Sequence, residues 1–365
     1  MEDDILRRKL EHLKICLEKD VQAKNISTGF EDIHLIHKAL PEIDFDEIST
    51  STRFLDHGFK APILIDAMTG GFEEAGKINA ALAEAAERLG IGVVAGSQRI
   101  ALKNEGAVES FRVLRENAPT AFVAANIGCQ QLRGEDKLEV AFRCVEMIDA
   151  DALAIHLNPL QEVLQLEGET RFEGCLRDLG EVARAISKPV IIKETGAGIS
   201  GSIARSLRDS GVQAINVSGA GGTSWAAIEH YRSLSAGRKM MAEAGESFRD
   251  WGIPTAVCVF EASRCVDLPI VASGGLRSGL DIAKSMALGA SLSAMAAPLL
   301  PSASEGIEAV LEKLEKMIYE LRAAMFLTGS RNLDELKLAE YVVTGRLLQW
   351  LKMLGFNPWE KSPNG

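Results

Sequence analysis

Eight short apolar runs recur along the chain, most of them about 30 residues apart, and no other feature constrains the fold as strongly. They are PILIDAMT (62–69), IGVVAGSQ (91–98), AFVAANIG (121–128), DALAIHLN (151–158), PVIIKETG (189–196), QAINVSGA (213–220), PIVASGGL (269–276) and ASLSAMAA (290–297). Amphipathic stretches such as EEAGKINAALAEAAERLG (73–90) and RSGLDIAKSMALG (277–289) lie between most of them. Apolar strands alternating with helices imply a parallel sheet covered on its outer face. A (β/α)8 barrel needs roughly 31 residues per unit. The expected fold is therefore α/β, a (β/α)8 TIM barrel with its core at about 62–325.

The rest of the chain reads as additions to one domain spanning 1–365. An N-terminal arm (about 1–61) carries a charged helix candidate at 3–18. A long excursion at 221–268, between the sixth and seventh strands, ends in a helix over 255–265. After the eighth strand come a long amphipathic helix (305–329) and a helical tail, about 326–365, whose YVVTGRLLQWLKMLG segment reads as helix. Hydrophobic residues make up 47% of the 365, enough for a large core, and no low-complexity linker divides the chain. No apolar run reaches the roughly 18 residues that span a bilayer. The charged start, MEDDILRRKLEHLK, has no signal-peptide character. The six cysteines form no C-x-x-C pair, so reduced thiols and a cytoplasmic location are expected. A net charge of −11 argues against nucleic acid, while a small anionic substrate needs only local positive charge.

Barrels of this kind place their active sites at the C-terminal strand ends. The fourth run continues as IHLNPLQEVLQ (155–165), where His156, Asn158, Gln161 and Glu162 follow a core strand; a strand buried on both faces has no use for such a series. Side chains alternate along a strand, so His156 and Asn158 share a face, as do Lys193 and Thr195. A lysine pointing into the lumen needs an anionic partner, either a core carboxylate or a ligand. SGGLRSG (273–279) and AMAAP (294–298) end the last two strands, where this fold often binds phosphate through backbone N–H groups. SGAGGTSW (218–225) adds Thr223 as a hydroxyl facing phosphate. Together these features point to flavin mononucleotide (FMN) across the barrel mouth, with Lys193 and Asn126 beneath it and Ala67, Thr69 and Ala125 as small surfaces for the ring.

RRKLEHL (7–13), MTGG (68–71), GSQR (96–99), HLNPLQE (156–162), IKETG (192–196), SGAGGTSW and SGGLRSG occur in that order, and the series resembles type 2, flavin-dependent isopentenyl diphosphate isomerases over nearly the whole chain. The resemblance implies FMN, reduction by NADPH, Mg²⁺, and interconversion of isopentenyl and dimethylallyl diphosphate without net redox change. It implies FMN held by Ala67, Met68, Thr69, Ser97, Asn126, Lys193, Ser218 and Thr223, with its phosphate at Gly274, Gly275, Ala296 and Ala297. Substrate would meet Arg8, Lys9, Ser97, Arg99, His156, Asn158 and Gln161, and Glu162 would hold Mg²⁺. A homo-oligomer, tetramer or octamer, is implied as well. One departure is visible: the expected Asp-x-Ser-Gly at the sixth strand reads Asn216-Val-Ser-Gly, one carboxylate fewer.

Proton transfer to an alkene needs a group that holds a proton near the working pH. Gln161 is an amide, and His156 beside a diphosphate is expected to donate a hydrogen bond. The catalytic set is thus read as Gln161, His156 and Lys193 around a reduced flavin that itself carries the proton, Gln161 orienting or relaying. Two rivals stay open: an FMN barrel oxidising or reducing a small anionic substrate, and a non-catalytic flavin-binding barrel. The first would not need the Arg8-Lys9 arm or the His156–Glu162 run, and only Asn216 supports the second; by composition RRKLEHLK also reads as a solvated helix face.

Overall fold

A computed structural model describes residues 2–357; the last residues of the expected tail, 358–365, lie outside the described residues. Eight parallel strands close into a barrel: Ile63–Ile65, Gly92–Val94, Val123–Gly128, Ala152–Leu157, Val190–Glu194, Ala214–Asn216, Ile270–Ser273 and Leu292–Met295. Each falls within one of the eight apolar runs. The eighth strand pairs with the first, Ala294 opposite Leu64, which leaves no free edge.

The period of two sorts each strand into an outward and an inward set. Ile63, Ile65, Val123, Ala125, Ile192 and Ile215 face out into the large core shared with the helices. Leu64, Val94, Ala124, Ala152, Ala154, Ile191, Ala214, Val271, Leu292 and Ala294 form a separate, smaller cluster. That inner cluster rests on a plug. Thr52–Phe54 and His57–Phe59 pair as an antiparallel hairpin whose two-residue turn, Leu55-Asp56, has both φ positive, at 47° and 67°. Phe54 and Phe59 stand against Phe122 with ring centroids 5.9 and 5.7 Å apart. The aromatic plug and the small alanines above it give the lumen a dry floor and leave room higher up.

The additions differ in part from the sequence reading. The N-terminal helix runs Glu2–Glu18, and the excursion holds helices Trp225–Ser235 and Lys239–Ser247 before the expected Thr255–Cys265. The long helix after the eighth strand is Ile307–Leu327. The tail, read as helical from 341, opens instead with a strand, Tyr341–Val343, which pairs antiparallel with Ile33–Leu35 of the arm; helix follows at Gly345–Met353. A β-branched, aromatic triplet with a partner strand 300 residues away favours the ladder over a helical turn. The arm and the tail are thereby stitched to each other beside the barrel. Among the described residues no helix is long and apolar enough to cross a membrane.

On the face opposite the strands' C-terminal ends, Arg115 ties the third and fourth units together. Its guanidinium donates to the carbonyls of Ala118 (2.8 Å), Ala121 (3.0 Å) and Asp149 (2.8 Å) and to Asp151 Oδ2 (2.8 Å), which also accepts from Val123 N–H (2.9 Å). Arg115→Met takes this donor from three carbonyls and leaves Asp151 Oδ2 with Val123 N–H and no cation. It is expected to cost about 2–4 kcal/mol in urea unfolding while leaving the opposite face, and hence flavin affinity, unchanged.

Candidate active site

Above the apolar floor the inward positions turn polar. One step of two residues up from the inner cluster come Asp66, Asn126, His156, Lys193, Asn216 and Ser273. All but His156 are buried. A cavity of about 250 Å³ opens over this layer at the C-terminal ends of the strands.

Lys193 is the charge at its centre. Nζ donates to the carbonyl of Glu194 at 2.8 Å and lies 3.7 Å from Asp66 Oδ2. Of the two partners open to it in the sequence reading, the protein thus supplies a core carboxylate. Strand five ends where it does because the neighbouring Glu194 turns its Oε2 onto the N–H groups of Thr195, Gly196, Ala197 and Gly198, capping the loop. Asn126 donates to the Ala95 carbonyl (2.9 Å), so its Oδ1, 3.0 Å from His156 Nδ1, accepts from that nitrogen. Burial, and then the positive charge of Lys193, Lys9, Arg8 and Arg99, pushes His156 down to about 3. His156 is therefore a neutral imidazole whose single proton sits on Nδ1, as inferred from the amide's partners. Its Nε2 presents a lone pair. The expected donation to a diphosphate does not fit this tautomer, because the proton is already committed to Asn126.

The helix Pro159–Leu164 begins directly after strand four and turns Gln161 and Glu162 back to Asn158. Asn158 Nδ2 donates to Gln161 Oε1 (3.0 Å) and Glu162 Oε1 (2.9 Å). Glu162 Oε2 accepts from Gln165 Nε2 (2.7 Å) and Glu169 N–H (2.6 Å). Only donors meet the Glu162 side chain, and both of its oxygens act as acceptors. Among the described residues no group of three or more His, Cys, Asp or Glu is placed to hold a metal, so Glu162 offers one carboxylate and no closed cage.

The N-terminal helix roofs this region. Lys9 Nζ donates to the Ser97 carbonyl (3.0 Å) and stands over the Phe111 ring. His12 meets Glu229 (2.8 Å) and stands edge-on to Trp225. Arg232 binds Glu229 (2.8 Å), Glu11 (2.9 Å) and Glu167 (3.1 Å). This buried network fixes the helix and sets Arg8 and Lys9 into the cavity wall. Burial, and secondarily Arg8, lowers Lys9 to about 7. Arg99 faces the same wall, ion-paired with Glu169, which also accepts from Gln131 Nε2 (3.0 Å).

The far end of the cavity is made of backbone. A Cβ on Gly222 would meet Gly275 Cα at 2.5 Å, and one on Gly274 would meet the Gly219 carbonyl at 2.1 Å. The loops after strands six and seven thus touch backbone to backbone. That contact, rather than a ligand's approach, is the immediate reason for these glycines. The helices that follow start at once: Ser224 Oγ caps Ala227 N–H (3.2 Å), and Ser278 and Asp281 form a reciprocal capping box. Thr223, just before the first cap, has its Oγ1 buried with no hydrogen-bond partner among the described residues. Ala296, Ala297 and Arg277 complete this end.

Residues 166–343 match the family model described as FMN-dependent dehydrogenase. The chain is 51% identical over 353 residues to the isopentenyl-diphosphate delta-isomerase of Methanosarcina barkeri, covering 96% of this chain and 95% of that one. The enzymes of that name from Archaeoglobus fulgidus and Pyrococcus abyssi are 49% and 45% identical, each over 96% of this chain and 99% and 96% of their own. The chain belongs to the isopentenyl-diphosphate delta-isomerase family. Solved structures with the same fold include a lactate oxidase from Pediococcus acidilactici (TM-score 0.65, 14% identity, 94% and 93% of the two chains) and a mandelate oxidase variant (TM-score 0.64, 18% identity, 93% and 99%).

In this isomerase-family chain the one cavity gathers Arg8, Lys9, Ala67, Met68, Thr69, Ser97, Arg99, Asn126, His156, Asn158, Gln161, Glu162, Lys193, Ser218, Thr223, Gly274, Gly275, Ala296 and Ala297, all the site residues read from sequence. Ala125 is the exception among the surfaces proposed for the flavin ring: it points out into the helix-facing core, one residue out of phase with Asn126. Sequence reasoning missed Asp66, Gln131, Gln165, Ser273 and Arg277. Asp66 carried a signal, an acid inside the apolar run PILIDAMT.

Thr223→Val tests the backbone-rich end. No protein group loses a partner, so the apoprotein should be as stable as wild type or more so, whereas FMN affinity, read by fluorescence quenching, should fall roughly tenfold.

Proposed function

We propose that this chain interconverts isopentenyl and dimethylallyl diphosphate with reduced FMN and Mg²⁺, with NADPH as the reductant. The observation that carries the reading is the union of two half-sites in one cavity. A polar layer around Lys193 faces a backbone-lined end with an orphan hydroxyl, and beside it stand Arg8, Lys9 and Arg99. A plain flavin oxidoreductase would use the first half; an arm that buries two further cations against the same space fits a diphosphate.

The residues present fit both groups. FMN phosphate would sit at Gly274, Gly275, Ala296 and Ala297 and satisfy Thr223 Oγ1, its ring above Asn126 and Lys193 against Ala67, Met68 and Thr69, with Ser97 and Ser218 at its edges. When bound and reduced, FMN supplies an electron-rich group that holds and returns a proton and stabilises adjacent positive charge. Mg²⁺ prefers few carboxylates completed by phosphate oxygens and water, and Glu162 is such a single, pre-oriented carboxylate.

The chain's own groups then act as follows. Arg99 leaves Glu169 for the diphosphate, one anion replacing another. Lys9 regains its full charge against the phosphate oxygens. Asn158 turns Gln161 and Glu162 toward the diphosphate end, and His156 Nε2, as an acceptor, takes a hydrogen bond from water there, since the anion itself offers none. Gln161, its Oε1 held by Asn158 Nδ2, orients the alkene end and positions its protons without ionising. The docked N-terminal helix excludes water, which strengthens every charge in the cavity.

Two measurements check this. Proton NMR of isopentenyl diphosphate in D₂O, with FMN, Mg²⁺ and NADPH under anaerobic conditions, should show deuterated dimethylallyl diphosphate only when the flavin is reduced and without matching NADPH loss. A reduced substrate with stoichiometric NADPH consumption would instead establish an oxidoreductase. The lowered Lys9 adds a pH signature: wild-type protein at pH 8, above about 7, should take up a proton on binding pyrophosphate, because the anion draws Lys9 back to its ammonium form. The uptake should fade below pH 7, where Lys9 is already charged, and calorimetry in buffers of different ionisation enthalpy reads it. Lys9→Met should lose that uptake and bind pyrophosphate about tenfold more weakly.

A further inference from the structure

We propose that Asp66 is the positioning carboxylate for Lys193 and that Asn216 locks it in place across the lumen. The inference rests on the flavin reading above for its functional meaning and on the lumen geometry for its substance. Asp66 directly follows strand one and Asn216 ends strand six; these strands are not neighbours in the sheet, and both residues are buried. Asn216 Nδ2 donates to Asp66 Oδ2 at 3.1 Å. Ser273 Oγ donates to Asn216 Oδ1. Asp66 Oδ1 accepts from Ala67 N–H at 2.8 Å, and Oδ2 stands 3.7 Å from Lys193 Nζ.

Every partner of Asp66 is a donor or a cation, so the carboxylate is used purely as an acceptor. Asn216 is equally matched: its amide hydrogen goes to a carboxylate and its carbonyl takes a hydroxyl hydrogen. A carboxylate at 216 would have oxygen against oxygen at that 3.1 Å contact, and two such groups do not both ionise. Positions 66 and 216 therefore hold one negative charge between them. Asp66, Ser273 and Lys193 line the cavity, whereas Asn216 lies beneath it. The ammonium has three hydrogens. One is spent on Glu194 and the direction of Asp66 takes another, which leaves the third for the space above the polar layer. The orientation and net charge that Lys193 shows to that space are set by Asp66 and, through it, by Asn216.

The test compares wild type, D66N, N216D and D66N/N216D. In the apoprotein, D66N and N216D should each lower the thermal midpoint, the first by leaving Lys193 uncompensated and the second by crowding two acids. The double variant should recover most of the loss, because one acid and one amide again face each other. With FMN added, D66N should change FMN affinity roughly tenfold and move the flavin reduction potential upward, since an unpaired ammonium favours the more negative reduced form. The double variant should return to within about twofold of wild type in affinity, with its potential restored. A purely structural role for Asp66 would leave the potential of folded D66N unmoved, and that result, or a double variant no closer to wild type than its parents, overturns the proposal. If D66N does not fold, the double variant decides alone: it must fold and bind as wild type does. The apoprotein midpoints need no flavin, so a wild-type protein that binds no FMN would sink the flavin reading while the pairing of 66 with 216 is still judged on its own.

Discussion

An ammonium inside a barrel lumen is the constraint around which the rest of this structure is arranged. Burying Lys193 unpaired would cost several kcal/mol, and the chain meets that cost with groups from three other parts of the barrel. Glu194 offers its carbonyl, Asp66 its carboxylate, and Asn216, itself fixed by Ser273, holds Asp66 in turn. Burial, and then the same charge with Lys9, Arg8 and Arg99, keeps His156 neutral. Below this layer the plug of Phe54, Phe59 and Phe122 and the lumen alanines keep the floor dry. Above it the cavity widens. The polar layer is thus a boundary between a packed core and a binding space, and its charges strengthen as water is excluded.

The site has two ends of different chemistry. One is backbone and small residues, made possible by two glycine loops in direct contact. The other is cationic, completed by a helix from the far N-terminus that a buried Glu229–Arg232 network holds down. A chain with net charge −11 thereby presents a locally positive cavity. The carboxylates of Glu162 and Glu169 stand inside that positive wall, Glu169 paired with Arg99.

Much of this was legible in the sequence because the physics is local. The period of two placed His156 with Asn158 and Lys193 with Thr195, and the repeat spacing located the eight strands, although strands one, two and six end four residues before their runs do. What stayed hidden depends on distant partners. The hairpin under the barrel turns on Leu55-Asp56, a pair with no glycine to signal its positive φ, and the pairing of Ile33–Leu35 with Tyr341–Val343 is made only by tertiary contact, so a strand at 341 read as helix. Asp66 meets Asn216 across 150 residues, and the apparent loss of an acid at 216 looked uncompensated until the lumen was assembled. Ala125 was misplaced by a single residue of phase. The tautomer of His156 follows from the Asn126 amide, whose orientation is set by a carbonyl on another strand.

The measurement that tests the central claim most directly is a crystal structure of the protein with FMN and isopentenyl diphosphate, grown anaerobically with a reductant. The account requires the flavin phosphate between the loops at Gly274–Gly275 and Ala296–Ala297, the ring over Lys193 and Asn126, and the diphosphate on Arg99 with Glu169 displaced. A flavin bound elsewhere, or a diphosphate seated on the glycine loops in place of FMN, would contradict it.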